Sequence, residues 1–150
     1  MNNENYALYS QTLSKLPEKE MLNLIHGIKP IISSQDGNIL FTYNSGSFSA
    51  TCILMNQDDI PDHLESFTHY IDYISKAQEV SKDYIDSIKS KILKTTLVLS
   101  INTIYNDEDE PIAEDLIGKL CFGLNPIVFF NDSLYDQNSK LILAPNKPLK

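Results

Sequence analysis

Apolar residues near the start of the chain recur every three to four positions. Tyr6, Tyr9 and Leu13 follow this spacing, which predicts an amphipathic helix over residues 4–15. The spacing resumes after a proline, and acidic residues in the first turn support a second predicted helix over residues 18–28. The chain is therefore expected to begin with two helices.

Beyond residue 30 apolar and polar residues alternate, and this period of two predicts strands. Asp36-Gly37 is a strong signal for a two-residue hairpin turn. The segment 38–43 is the predicted return strand, and the segment 47–55 places its side chains alternately on two faces. Together these segments predict a three-stranded antiparallel meander that starts at Ile31.

The rest of the chain predicts helices interleaved with strands. An acidic segment with a proline opens a helix whose apolar stripe starts at Leu64, and Val80-Ser81 separates it from a second helix. A run rich in β-branched residues predicts a central strand over residues 95–104. The later elements are a helix over residues 111–122 that stops at Gly123, a strand over 126–130 and a strand over 141–143.

This order of elements predicts an α+β fold with residues 1–150 in a single domain. N-terminal helices and a three-stranded meander come first, and two helices, a strand, a helix and two strands follow. We expect one mixed or antiparallel sheet with helices packed on it. A chain of 150 residues is long enough to bury a real core. Residues 1–5 and 145–150 are expected to be frayed.

Charge composition limits the partners that the chain is suited to bind. Twenty acidic residues outnumber twelve lysines, arginine is absent, and the net charge is −8. Arginine supplies the planar group that binds phosphate and carboxylate through paired hydrogen bonds. The usage of an AT-rich genome would also explain its absence. In either case the composition disfavours nucleic acid and favours a basic protein partner.

The negative charge is concentrated between Gln57 and Asp115. This segment contains 14 acidic residues and five lysines, whereas the rest of the chain contains six acidic residues and seven lysines. Two groups of carboxylates stand at predicted helix starts. The candidate partner-binding residues are Asp58, Asp59, Asp62 and Glu65 in the first acidic group and Asp107, Glu108, Asp109 and Glu110 in the second acidic group.

Two interpretations of these acidic groups remain open. The carboxylates would cap their helices and favour the positive end of the helix dipole. Alternatively, they would contact a basic protein, and two helices lying side by side would join both groups into one negative face. Tyr70, Tyr73 and Tyr84 lie among these acids and are candidates for an interface or for the edge of the core.

Other motifs give no support to catalysis or metal binding. The second acidic group has Ile112 where a calcium-binding loop needs glycine, and His63 and His69 do not have a usual zinc-binding spacing. Phe48 occupies the position where a nucleophile elbow needs serine. We therefore expect no catalytic residue, no cofactor and no metal.

The cellular location is expected to be the cytoplasm. The first residues lack the basic and apolar regions of a signal peptide, and no apolar run is long enough to span a membrane. Cys52 and Cys121 lie in apolar stretches and are expected to be reduced and buried.

Small acidic α+β proteins of this profile resemble two groups of bacterial proteins. Resemblance to immunity proteins implies a non-enzymatic protein that neutralises a basic partner such as a cognate toxin. Resemblance to the chaperones of type III secretion effectors rests on a helix followed by a three-stranded meander, and it implies a homodimer. The predicted helix 111–122 departs from the chaperone pattern, so the immunity-type function is preferred. A second alternative is a carboxylate-dependent hydrolase that uses Asp107 or Asp109.

Overall fold

Eight strands and four helices are present in the computed structural model, which describes residues 1–11, 18–76 and 80–145. The strands are β1 (Asn2–Ser10), β2 (Ile31–Gln35), β3 (Asn38–Ser45), β4 (Phe48–Leu54), β5 (Leu97–Tyr105), β6 (Ile127–Phe130), β7 (Ser133–Tyr135) and β8 (Leu141–Leu143). The helices are α1 (Glu18–Leu22), α2 (Ile60–Ser75), α3 (Lys82–Leu93) and α4 (Glu110–Leu124). Short 3-10 turns, Gln57–Asp59 and Asp107–Asp109, lead into α2 and α4.

All eight strands belong to one sheet in the order β2-β3-β4-β5-β1-β6-β7-β8. Every neighbouring pair is antiparallel. The predicted α+β class with one sheet is confirmed. None of the helices in the described part of the chain is long and apolar enough to cross a membrane.

Helices pack on both faces of the sheet and create two buried clusters. On one face, α1 and α4 cover the central strands, and Leu8, Leu99 and Leu116 belong to one cluster. On the other face, α2 and α3 pack beside Tyr9 and Val98 to form the second cluster. This second cluster takes in β6–β8 and the adjoining ends of β1 and β5, so it leaves the β2–β4 side of that face without a helix.

The N-terminal segment is a strand, and the predicted helix over residues 4–15 is wrong. β1 pairs with β5 over nine positions, from Asn2 opposite Tyr105 to Ser10 opposite Leu97. Its second half is covered on both faces, so apolar side chains follow one another and hide the period of two. Asn2–Asn5, expected to be frayed, are part of this pairing. Residues 12–15 of the predicted helix, and residues 146–150 of the predicted frayed end, lie outside the described residues.

Two helix ends differ from their predictions. The helix predicted over residues 18–28 ends at Leu22, and the chain then forms a tight turn with an antiparallel bridge between Ile25 and Ile28, in which Gly27 has φ +77°. The last helix continues through Gly123, and Asn125, with φ +47°, ends it.

The predicted strands are present, and β7 is a second strand, besides β1, that was not predicted. The Asp36-Gly37 turn and the three-stranded meander are confirmed, as are the central strand and the last strand. The polar segment after β6 was expected to be a turn only. Asn131 and Asp132 both have positive φ and form a tight turn, which lets β7 pair with β6.

Candidate functional site: an uncharged sheet face with acidic ends

The first acidic group lies at the start of α2, and all four of its residues are exposed. Asp58 and Asp59 belong to the 3-10 turn, and Asp62 and Glu65 lie on the helix. An acidic residue, Asp59, occupies the cap position of α2 as expected, but its side chain makes no capping bond. Instead, the Asn56 Oδ1 accepts a hydrogen bond from the backbone N–H of Asp58 at 3.2 Å.

The second acidic group lies at the start of α4, and two of its carboxylates bind other segments. Asp107 Oδ1 accepts a hydrogen bond from Asn2 Nδ2 at 2.8 Å. Asp109 Oδ2 accepts one from Ser47 Oγ at 2.5 Å, and makes no capping bond to its own helix. These two residues, proposed for the hydrolase alternative, thus connect α4 to β1 and to the β3–β4 turn. Glu108 and Glu110 are exposed.

The two acidic groups do not form one face. The 3-10 turns follow β4 and β5, which are adjacent and antiparallel, so the groups leave the sheet at opposite ends. The nine residues of β5 separate those ends by about 27 Å. In addition, α2 packs on one face of the sheet and α4 on the other. The expectation that side-by-side helices join both groups is therefore wrong.

Neither acidic group is neutralised by a lysine within the described residues. The ion pairs there join Lys89 to Asp72 at 3.0 Å and Lys119 to Asp115 at 2.9 Å. Both pairs lie on helix surfaces away from the eight candidate residues.

Between the two acidic ends lies a broad sheet surface without charge, which we call the open face. It is the side of β2–β5 and of the first half of β1 that α2 and α3 leave uncovered. Asn38 also lies on this side, but its Oδ1 accepts a hydrogen bond from the backbone N–H of Asn56 at 2.7 Å. The other fourteen side chains that form the face by strand alternation and register are Asn3, Asn5, Ile31, Ser33, Gln35, Leu40, Thr42, Asn44, Ser49, Thr51, Ile53, Ser100, Asn102 and Ile104. Ten carry amides or hydroxyls, four are aliphatic, and none is charged. None of them is buried.

An asparagine network holds one side of the open face in a fixed arrangement. Asn102 Nδ2 donates hydrogen bonds to Asn3 Oδ1 and Asn5 Oδ1, each at 2.8 Å. Because both oxygens of the β1 residues are engaged, their NH2 groups are left to donate to a partner. A groove of about 740 Å³ runs from this network to the β6–β7 turn, where Asp132 accepts a hydrogen bond from Tyr70 at 2.8 Å.

A second cavity, of about 610 Å³, lies on the α4 side of the sheet and contains Glu110 of the second acidic group. Glu4 and Glu114 also line it. Tyr105 donates a hydrogen bond to Glu4 Oε1 at 2.5 Å, and this bond raises the pKa of Tyr105. Burial and the nearby Glu4 raise the pKa of Tyr6 to about 12. Both phenols therefore stay neutral at physiological pH.

His63 and the two cysteines pack against neighbouring side chains, whereas His26 and His69 are exposed. His63 Nε2 lies 2.9 Å from the hydroxyl of buried Tyr9, and burial lowers the pKa of His63. Among the described residues, no three His, Cys, Asp or Glu side chains are close enough to hold a metal ion. Cys52 is buried and Cys121 is half-buried, and burial raises the pKa of both thiols, that of Cys52 to about 12.

The three candidate interface tyrosines have different surroundings. Tyr73 is 69 % exposed and stacks on Tyr70, whose ring also meets Phe129 edge-on. Tyr84 donates a hydrogen bond to the backbone carbonyl of Ile142. Only Tyr73 therefore presents most of its ring to solvent.

Sequence reasoning found the acidic groups but missed the open face. Alternation in the segment 47–55 does reveal the polar side of β4. The signal fails because the open face also needs β1 and β5, which are adjacent in the sheet although about a hundred residues separate them.

Comparisons with protein-family models, with curated proteins and with solved structures give no match to this chain.

Proposed function

We propose that this chain is a non-enzymatic binding protein that holds a basic protein on the open face. The observation that carries the proposal is the absence of charge from all fourteen positions of that face, in a chain with twenty acidic residues and twelve lysines. Centres of protein interfaces are depleted in charged residues and surrounded by polar rims. The open face has this composition.

The acidic groups supply the electrostatic part of the proposal. They lie at the two strand ends of the open face, and no lysine of the described residues pairs with them. Carboxylates in such a position attract a basic protein at long range and increase its rate of association, and salt weakens the attraction. A neutral centre with acidic ends therefore suits a partner with basic residues around an uncharged patch.

Neutralisation of a basic toxin is the finer form of this proposal. A binding protein with no reaction of its own blocks such a partner by covering its functional surface. Asp107 and Asp109, the residues of the hydrolase alternative, already accept hydrogen bonds from Asn2 and Ser47. Their positions are thus accounted for by stabilisation of the fold.

The test adds the same charge at two places. Thr51→Lys places a lysine in the centre of the open face, and Ser87→Lys places one on the exposed surface of α3. Each variant and the unmodified chain are immobilised and offered a lysate of the native host at low salt. The captured protein is then purified, and its Kd is measured at increasing salt.

We expect a basic protein that binds the unmodified chain and Ser87→Lys equally. Thr51→Lys should bind it at least about tenfold more weakly, which corresponds to about 1.4 kcal/mol, and salt should weaken binding to all three. Equal affinity for both lysine variants would exclude the open face as the contact surface. Capture of no basic protein at low salt would contradict the proposed function as a whole.

A further inference from the structure

One edge of the sheet is left open for a further strand. β2 is the outermost strand, and all five of its residues are exposed. Asp36 and Gly37 have φ +54° and +83° and form a two-residue turn, so Gln35 and Asn38 are the hydrogen-bonded pair that closes the hairpin. Hydrogen-bonded positions alternate along an antiparallel pair. The backbone N–H and C=O groups of Ile32 and Ser34 therefore point outward from the sheet.

The opposite edge is protected by contrast. β8 has only three residues, and its pairing with β7 is irregular. Tyr84 of α3 donates a hydrogen bond at 2.6 Å to the backbone carbonyl of Ile142, in the middle of that strand. Lys140 immediately precedes it. Short length, irregular pairing, a covering side chain and a lysine are the devices by which proteins prevent edge pairing.

The open edge has none of these devices among its own five residues. The sequence of β2, Ile-Ile-Ser-Ser-Gln, contains no charged residue and no proline. Ile31 is 67 % exposed, and on the other side of the sheet Ile32 of β2 and Ile39 of β3 are also exposed. In a chain of net charge −8, this uncharged edge is a place where two copies can approach without strong repulsion.

We propose that two copies of this chain pair through β2, antiparallel, about a twofold axis at Ser33. In this register Ile32 of each copy lies opposite Ser34 of the other, and these are the residues whose backbone groups point outward. The pairing joins the two sheets into one of sixteen strands. Both copies present the same side of their sheets in the same direction, so the two open faces become continuous.

Charges at the ends of β2 favour a second copy over an unrelated strand. The twofold register brings Lys29 of one copy within one residue of Asp36 of the second copy, and the same contact is repeated on the other side of the axis. Both residues are exposed. An unrelated extended segment would need its own charges at the same spacing, whereas a second copy has them by symmetry.

Cysteine crosslinking tests the register. In the paired strands Ser33 faces Ser33 of the second copy at a non-hydrogen-bonded position, where the Cα atoms lie about 4.5 Å apart, within disulfide range. Ser34 is offset from its own symmetry mate by two residues, beyond that range. Both variants also carry Cys121→Ser, so that the half-buried thiol of Cys121 takes no part in crosslinking. Cys52 is buried and is kept.

We expect Ser33→Cys to form a covalent dimer rapidly under mild oxidation. Ser34→Cys should form at least about tenfold less covalent dimer in the same time, because its two sulfurs are too far apart for a disulfide. Equal crosslinking of the two, or none, overturns the proposed register.

Sedimentation equilibrium tests the dimer itself, independently of any basic partner. Ile32→Lys and Leu141→Lys add the same charge at the two edges, on residues that are both exposed. The unmodified chain and Leu141→Lys should sediment as dimers with equal dissociation constants, and Ile32→Lys should raise the constant at least about tenfold. The proposal is overturned if the unmodified chain has a monomeric mass at about 1 mM, or if the two lysines change the dissociation constant equally. An extended peptide that binds β2 without a dimer forming would also overturn it.

Discussion

The starts of α2 and α4 are built on the same sequence pattern and are used differently. Asn56-Gln-Asp-Asp-Ile-Pro61 and Asn106-Asp-Glu-Asp-Glu-Pro111 share asparagine, aspartate and proline at the same spacing. Each follows a strand and forms a 3-10 turn before the helix. In each, the backbone N–H of the shared aspartate donates a hydrogen bond to the backbone carbonyl of the shared asparagine. The N···O distance is 3.0 Å for Asp59 and 2.9 Å for Asp109.

Side chains at equivalent positions nevertheless have different roles. Asn56 caps its turn through its side chain, and Asn106 does not. Asp59 is exposed, whereas Asp109 binds Ser47 in the neighbouring hairpin turn. The local sequence therefore determines the backbone of a helix start, and the neighbouring segments determine which carboxylates stabilise the fold and which remain available to a partner.

The largest expected difference between the two starts is in stability at the equivalent aspartates. Asp109→Ala removes a charged acceptor from the part-buried Ser47 hydroxyl, which should lower the free energy of unfolding by about 2 kcal/mol. Asp59→Ala removes an exposed side chain with no capping bond and should change it by less than about 0.5 kcal/mol. Urea unfolding of both variants measures the difference.

A double-mutant cycle assigns that difference to the contact. Ser47→Ala and Asp109→Ala together should cost less than the sum of the two single changes, because they remove the same hydrogen bond. Additive effects would show that Asp109 stabilises the fold by another route.

Much of the fold follows from patterns within single segments. The meander, α2 and α3 are amphipathic, and each exposes one face to solvent, so the period of its apolar residues is visible. β1 has no such period, because it lies between β5 and β6 with both faces of its second half covered. Its strand conformation depends on pairing with residues about a hundred positions away, which outweighs the helical spacing of Tyr6 and Tyr9.

The candidate site is less predictable than the fold for a similar reason. The eight carboxylates are evident in the sequence, and their positions at helix starts were expected. The distance between the two groups depends on the antiparallel pairing of β4 and β5 and on the sheet faces against which α2 and α4 pack. The open face needs five strands brought together. No single segment contains that information.

Removing the equivalent asparagines should give the next largest difference. Asn56→Ala removes the side-chain acceptor of the Asp58 N–H and should cost about 1 kcal/mol, a usual value for a lost helix cap. Asn106→Ala removes no capping bond, and its backbone N–H keeps the bond to Ser47 Oγ. Urea unfolding should therefore find Asn106→Ala close to the unmodified chain. Equal losses at both positions would contradict the assigned roles.

The smallest expected difference is a dependence on pH that belongs to the start of α2 alone. His63 follows Asn56 by seven positions, and the equivalent residue of α4 is Ala113, which does not titrate. Burial holds the pKa of His63 below its ordinary value near 6.5, so the unfolded chain takes up the proton first as the pH falls. Stability from this residue is therefore complete above about pH 6.5 and is lost progressively as the pH falls through the lower pKa of the folded state.

Between pH 7 and 5, His63→Gln should flatten the decline in the midpoint of urea unfolding, because glutamine does not titrate and can still bond to Tyr9. His69→Gln, on the exposed side of the same helix, should leave the decline unchanged; a decline that survives in His63→Gln would place the titrating group elsewhere.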